Sequence, residues 1–313
     1  MKQHSTPEMS VVIVTPDCYE TISQTIRHLG TQTIRNCIEL VIVAPSAEIL
    51  HLDTSELENF LRYRVVEVGT IRSTAEARAA GVREASAEVV AFLEDHSYPA
   101  PGWAEALIEA HRQPWAAVGP VIANATPDSM ISWANAFLGS NHHLEPASAG
   151  VVDDLPGRNS SYKRAILLDY GPELGAMLET ETLLHWDLRA RGYQLYLEPA
   201  AKTSHRYFTL LSSLMLEQWH VGRLFAASRG RRWSLLRRGL YTGGAVLIPP
   251  VRLWRILQEL RRPGRQYDLL PRILPTLVIG LVVSAVGEMV GYAFGPGHVS
   301  EQVCLLEFHR ERH

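Results

Sequence analysis

The chain has 313 residues, 46% of them hydrophobic and 20% charged, and 30 Lys plus Arg against 33 Asp plus Glu leave a net charge of −3. That is enough chain for one large domain or two small ones, and the composition excludes disorder. Three scattered cysteines, Cys18, Cys37 and Cys304, exclude a disulfide framework and fit a reducing compartment, while the absence of zinc-type Cys/His spacing, a Gly-x-x-x-x-Gly-Lys loop or a Gly-x-Gly-x-x-Gly turn removes support for P-loop nucleotide hydrolysis and dinucleotide redox chemistry.

Residues 1–9 are polar, with no signal-peptide pattern. Short Val- and Ile-rich runs follow at 10–15, 39–44, 64–68, 88–93 and 116–122, separated by stretches with helical spacing. This alternation predicts an α/β fold with a mostly parallel central sheet. Tyr19, Ile22, Ile26 and Leu29 fall on one helical face, and Ser73 with Glu76 predicts a capping box ahead of an Ala-rich helix reaching residue 86.

Ligands of such sheets bind beyond the carboxyl ends of the strands. The run VVAFL is followed by Glu94, Asp95 and His96. In extended backbone Glu94 and His96 project to one side and Asp95 to the other, so that one face holds a divalent ion and the other orients a sugar or ribose hydroxyl. The bland alternative is a solvated acidic turn.

The carboxyl-terminal third differs in kind. Residues 206–272 hold 13 arginines, no lysine and three acids, a local net of +10 that leaves −13 for the remainder. Such a block selects an anionic partner, nucleic acid or a lipid surface. The next segment decides for lipid: 273–294 contains Glu288 as its one charge and is long enough to cross a hydrocarbon core of about 30 Å. The alternative is a buried core helix. Gly280, Ser284, Gly287 and Gly291 permit close helix packing, with Glu288 turned toward protein. Residues 239–251 are apolar but short and carry Pro249 and Pro250, which fits an interfacial or re-entrant segment with arginines against anionic headgroups on the cytoplasmic side. The expected organisation is a polar segment at 1–9, a catalytic domain at 10–205, a basic helical region at 206–272, a transmembrane helix at 273–295 and a tail at 296–313.

The run SVVIVT, then ELVIVA, the segment STAEARAAGVREASAEVVAFLEDHSYPAPGW, PGRNSSYKRAILLDYG and finally ETETLLHWDLRARGYQLYLEP ending near His205 resemble, in order, the successive blocks of family 2 glycosyltransferases of the membrane-associated bacterial type. The resemblance implies a GT-A fold and a hexosyltransferase-like enzyme of polysaccharide biosynthesis. It also implies a nucleotide-diphosphate-sugar donor, a divalent metal (Mn or Mg), inversion at the anomeric carbon, and a glycan or lipid-linked acceptor. The family's Asp-x-Asp motif falls on Glu94 and His96, with Asp95 between them. The resemblance then makes Asp95, His96 and His205 the metal ligands and turns Glu94 toward the ribose or a metal-bound water. An imidazole in place of a carboxylate shifts preference toward Mn or softer ions.

The same resemblance places the proton-accepting carboxylate on Glu181, with Glu179 the neighbouring candidate, because Thr180 stands where the family has an acid. Ala44-Pro45-Ser46 replaces the usual base-recognising acid after the second strand, which passes donor recognition to Thr15, Pro16 and Asp17. Arg78 matches a donor-side arginine whose following Asn is Ala79 here. Asn159, Ser160 and Ser161, with Lys163 and Arg164, fall on the acceptor and phosphate side, and Arg223 in EQWHVGR resembles a phosphate-holding arginine. The replacements His96, Thr180, Ala44 and Ala79 motivate an alternative from another class, a catalytically silent GT-A-like binding or scaffold protein at the membrane.

Overall fold

The computed structural model describes residues 6–52, 54–262 and 264–308. Residues 1–5 of the expected polar segment and 309–313 of the expected tail lie outside the described residues. The chain divides into two compact units: the described residues through Ala123 with Ala147–His205, and Asn124–Pro146 with the described residues from Arg206 onward. The second unit thus takes in 124–146, which the sequence assigns to the catalytic domain.

In chain order the first unit begins with β1 (Met9–Val14), α1 (Glu20–Gly30), β2 (Ile38–Ala44), α2 (Ala47–Leu50), β3 (Arg62–Glu67), α3 (Thr74–Glu84) and β4 (Val89–Phe92). It continues through β5 (Ser97–Pro99), α4 (Trp103–His111) and β6 (Ala117–Asn124). After α5 (Met130–Ser140), a part of the second unit, come β7 (Gly150–Val152), β8 (Ser161–Lys163), α6 (Arg164–Leu168), α7 (Leu174–Leu178), α8 (Glu181–Ala190) and β9 (Leu195–His205). The sheet has nine strands in the order β3-β2-β1-β4-β8-β6-β9-β5, with β7 paired to β9. β3, β2, β1 and β4 pair in parallel. The short β8 is antiparallel to both β4 and β6, so β6 runs in the same direction as β4.

The apolar runs form strands because both faces of β1, β2 and β4 are buried, which rewards continuous Val and Ile over alternation. α1 covers one face with Ile22, Ile26 and Leu29, fully buried beside Tyr19. The Ser73 hydroxyl caps α3 by accepting from the Glu76 amide at 3.2 Å. Only half of the expected capping box forms, because the Glu76 carboxylate lies against Gly175.

The second unit is helical: α5, then α9 (Leu211–Gly230), α10 (Leu235–Gly244), α11 (Ile248–Leu260), α12 (Leu270–Phe294) and α13 (Val299–Phe308). α12 contains the 273–294 run and is the one described helix long and apolar enough to cross a membrane; 44% of its apolar window is buried within the protein. It lies along α9 at backbone contact: a Cβ on Gly222 would strike the Ser284 carbonyl, one on Gly287 the Trp219 carbonyl, and one on Gly291 the Arg223 carbonyl. The small residues in α12 therefore form its packing seam. Glu288 is buried, with the charges of Arg252 and Arg229 opposing its own.

A buried histidine joins α4 to the sheet. The Ser161 hydroxyl donates to the Val118 carbonyl at 2.9 Å, so His111 Nε2, 2.9 Å from the same oxygen, is the donor of that pair. Nδ1 is then an unprotonated buried nitrogen with no partner among the described residues. Burial, then the charge of Lys163, holds the imidazole down to about 3. Below the ordinary histidine range the unfolded chain takes up a proton that the folded chain refuses, so stability is complete above about pH 6.5 and falls as the pH drops toward 3. His111→Gln should flatten this part of the acid-denaturation profile, measured as Tm against pH. The wild-type slope should be worth on the order of a few kcal/mol over that window.

Candidate active site

The carboxyl ends of β1, β2 and β4 lie along one edge of the sheet, with Val14 opposite Val43 and Val12 opposite Phe92. Beyond β4 the chain turns, the Ser97 amide donating to the Glu94 carbonyl at 3.1 Å. Thr25, buried on α1, pins this turn: its hydroxyl lies 2.8 Å from the Asp95 carbonyl and 3.2 Å from those of Glu94 and Ser97. β5 then pairs antiparallel with the end of β9, Ser97 opposite His205. That register carries His205 to His96, ring centroids 4.7 Å apart.

Glu94, His96 and His205 each offer a ligand atom, all within 4.8 Å of one another. The Asp95 carboxylate stands 2.6 Å from His96 Nδ1 and can only accept there, so Nδ1–H is the donor and the tautomer it selects presents Nε2 as the ligating nitrogen. Among the described residues Nε2 is buried and has no hydrogen-bond partner. The Ser97 hydroxyl holds His205 Nδ1 at 3.0 Å. A lone pair buried without a donor, facing a carboxylate and a second imidazole, fits a divalent cation. A carboxylate behind the ligating imidazole is the usual support for such a ligand. The geometry redistributes the expected roles: Glu94 stands in the cluster and Asp95 behind His96.

A second turn ties this cluster to a buried ion pair. Arg158 is left-handed, at φ 64°, a conformation that costs an L-residue roughly 1–2 kcal/mol. From there its amide donates to Glu181 Oε1 at 3.0 Å, while its guanidinium lies 3.6 Å from Glu94 Oε1. The neighbouring Asn159 amide donates to Glu94 Oε2 at 2.8 Å. Glu181 opens α8, and its Oε1 also receives Arg78 Nη1 at 2.5 Å, both side chains buried. Removing one partner of a buried pair strands the other charge, a loss of about 3–5 kcal/mol. Oε1 is thus taken by two donors; Oε2 faces Gly157, 3.3 Å from where a Cβ would sit. Beneath the pair lies Tyr162, whose phenol is pushed well above its ordinary range by burial and by the Glu181 charge, and so stays protonated.

Other expected residues take different places. Arg78 faces Glu181 and the Phe92 ring, and is a positioning group for the carboxylate. Glu179 turns away to the cap of α3, accepting from the Ser73 hydroxyl at 3.1 Å. Ser160 and Ser161 are fully buried and bonded to the Pro156 and Val118 carbonyls, so neither lines an open face. Thr15 is buried and closes its own turn, receiving the Asp17 amide at 3.4 Å, while Pro16 and Asp17 are half-buried at the strand ends. Ser46, at the end of the Ala44-Pro45-Ser46 run that stands where the resemblance implies an acid, caps α2 by accepting from the Ile49 amide at 3.2 Å. Arg223 belongs to the second unit, where Nε donates to the Gly295 carbonyl at 3.0 Å and caps α12. Sequence reasoning missed Thr25, Ser97 and Arg158; the Pro156-Gly157 turn ahead of Arg158 was the available signal.

The sheet order, with its metal-fitting cluster beyond β4, is that of a GT-A fold. Residues 10–171, just over half of the chain, match the family described as glycosyl transferase family 2, and the chain belongs to that family. A mannosyltransferase from Pyrobaculum calidifontis in complex with GDP-Man and Mn2+ superposes with a TM-score of 0.55 at 17% identity, over 91% of this chain and 88% of that one. GalNAc-T7 with UDP, GalNAc and Mn2+ gives 0.48 at 15% identity, over 64% of this chain and 43% of that one. S. aureus TarS 1–349 gives 0.47 at 14% identity, over 92% and 90%. At these identities the likeness is one of fold. No curated protein sequence matches the chain.

Arg158→Gly separates structure from site. Glycine adopts the left-handed turn without strain, so Tm should hold or rise, while loss of the guanidinium beside Glu94 should lower any turnover at the site. Calorimetric Tm and a rate assay on the same sample read the two effects.

Proposed function

We propose that this family 2 enzyme transfers a hexose from a nucleotide-diphosphate sugar to a hydroxyl of a glycan or lipid-linked acceptor, with inversion, at the cytoplasmic face of a membrane. The observation that carries this reading is the 157–159 turn, which joins the Glu94, His96 and His205 cluster to Glu181.

The donor diphosphate lies beyond β4, along the strand-end edge that Pro16 and Asp17 border. A divalent ion held by Glu94, His96 and His205 would offset the charge gained by the departing nucleoside diphosphate. Two imidazoles in the donor set favour Mn or a later ion over Mg. Arg158 adds a fixed positive charge beside Glu94. Glu181 is the base: with Oε1 engaged by Arg78 and the Arg158 amide, Oε2 takes the acceptor proton as the acceptor oxygen bonds to the anomeric carbon and the bond to the diphosphate oxygen breaks. The GDP-Man held by the Pyrobaculum mannosyltransferase supports a donor of this class.

A screen of nucleotide sugars, reading released nucleoside diphosphate, should find one donor that is turned over. With that donor Glu181→Gln should lose at least about 100-fold in rate while donor affinity holds, since general bases contribute on the order of 10²–10⁴; Glu179→Gln should stay near wild type. Equal losses in both would remove Glu181 from the role. Titration calorimetry with Mn2+ should show binding that His96→Ala abolishes and Asp95→Asn weakens by about 10–100-fold, as expected for a carboxylate behind a ligating imidazole.

A further inference from the structure

The second unit exposes apolar side chains that its own packing leaves uncovered. On α10, Leu235, Leu236 and Leu240 are 82%, 87% and 71% exposed, and at helical spacing they fall on one arc with Gly239 and Gly243. The turn to α11 adds Val246 and Leu247, and α11 adds Val251 and Trp254 on an arc with Pro250. A continuous stretch of chain with this much exposed Leu, Val and Trp exceeds the scattered apolar exposure of soluble proteins. Arginines border it. Arg237 and Arg255 flank the two arcs, and Arg232 and Arg261 stand exposed at the two ends of the segment.

Crossing by α12 suits the structure less well. Along its glycine seam α12 is in backbone contact with α9, which carries the half-buried Glu217, His220 and Arg223 at the same level. A bilayer around α12 would enclose those groups as well, and α9 is not apolar enough to span. Arg223 and Arg238 are occupied with the last carbonyls of α12 and beyond, Nε to Gly295 at 3.0 Å and Nε to Tyr292 at 2.7 Å. α12 also exposes apolar side chains, Val278, Ile279, Val282 and Val286 at 39–46% and Phe294 at its end, but the more fully uncovered arc is that of α10, where Leu235, Leu236 and Leu240 stand at 71–87%.

We propose that the α10–α11 segment is a surface-docking element that lies in the headgroup region of an anionic lipid leaflet. Leu235, Leu236, Leu240, Leu247 and Trp254 enter the acyl boundary and the flanking arginines meet the headgroups. This rests on the membrane location proposed above. Charge complementarity selects an anionic leaflet as the occupant: the exposed rim is arginine, with no exposed acid between Arg231 and Arg262.

Flotation of the full chain with phosphatidylcholine/phosphatidylglycerol vesicles should recover the protein with lipid, and recovery on phosphatidylcholine alone should fall at least about tenfold. The triple variant L235E/L236E/L240E, whose altered side chains are exposed and leave the packing intact, should lose about 100-fold or more in partition with an unchanged circular dichroism melt. Alkaline carbonate should extract the wild-type chain from the vesicles. Flotation that the triple variant leaves unchanged, or retention in carbonate, overturns the docking element while the membrane location stands. Failure of the wild-type chain to float with either vesicle overturns both. Self-association abolished by the same substitutions, in a chain that ignores vesicles, would reassign the surface to a second copy and likewise overturn the proposal.

Discussion

The site depends on a three-residue pairing. β5 is only Ser97–Pro99, yet its antiparallel register with β9 sets Ser97 opposite His205 and so brings together imidazoles 109 positions apart in the chain. A slip of one residue would turn His205 to the opposite face of the strand and dissolve the cluster. The Thr25 hydroxyl guards against that slip from below, gathering three carbonyls of the turn that feeds β5. What reads in one dimension as an acidic triplet is, in the fold, the junction of a parallel strand end and an antiparallel edge.

The second constraint is Arg158. A non-glycine residue held left-handed is retained where the surroundings over-determine it. Here its amide is fixed by Glu181 and its guanidinium by Glu94. Both ends of one residue thus report on the two halves of the site, which makes the spacing of those halves a property of a single turn.

Much of this was legible in the sequence, and the boundary of legibility is physical. β1, β2 and β4 announce themselves because burial on both faces demands unbroken Val and Ile, and α1 because its buried residues repeat every three to four positions. Strand alternation leads one to expect Glu94 and His96 on one side, but in the fold a turn beyond β4, closed by the Ser97 amide on the Glu94 carbonyl, brings them together. The side on which Asp95 acts does not follow from alternation, because Asp95 reaches its own neighbour's ring and not a separate ligand. β8 hides in a polar run, since Ser161 at its start and Ser160 just before it satisfy themselves on backbone carbonyls inside the sheet and need no apolar signature. Arg78, expected on the donor side, and Arg223, expected on a phosphate, are alike in sequence; one serves a buried carboxylate and the other a helix end, and only long-range packing separates the two uses.

In the second unit the seam between α9 and α12 sets backbone against backbone at Gly222, Gly287 and Gly291, so a side chain added at any of these positions would strike a carbonyl. The α10–α11 segment looped between those helices has the opposite character, its outer residues touching little of their own protein. The packing therefore leaves room for substitution in the outer arcs and none at the tightest positions of the seam. The character of the outer surface can thus be altered by substitution without disturbing the helical frame that carries it.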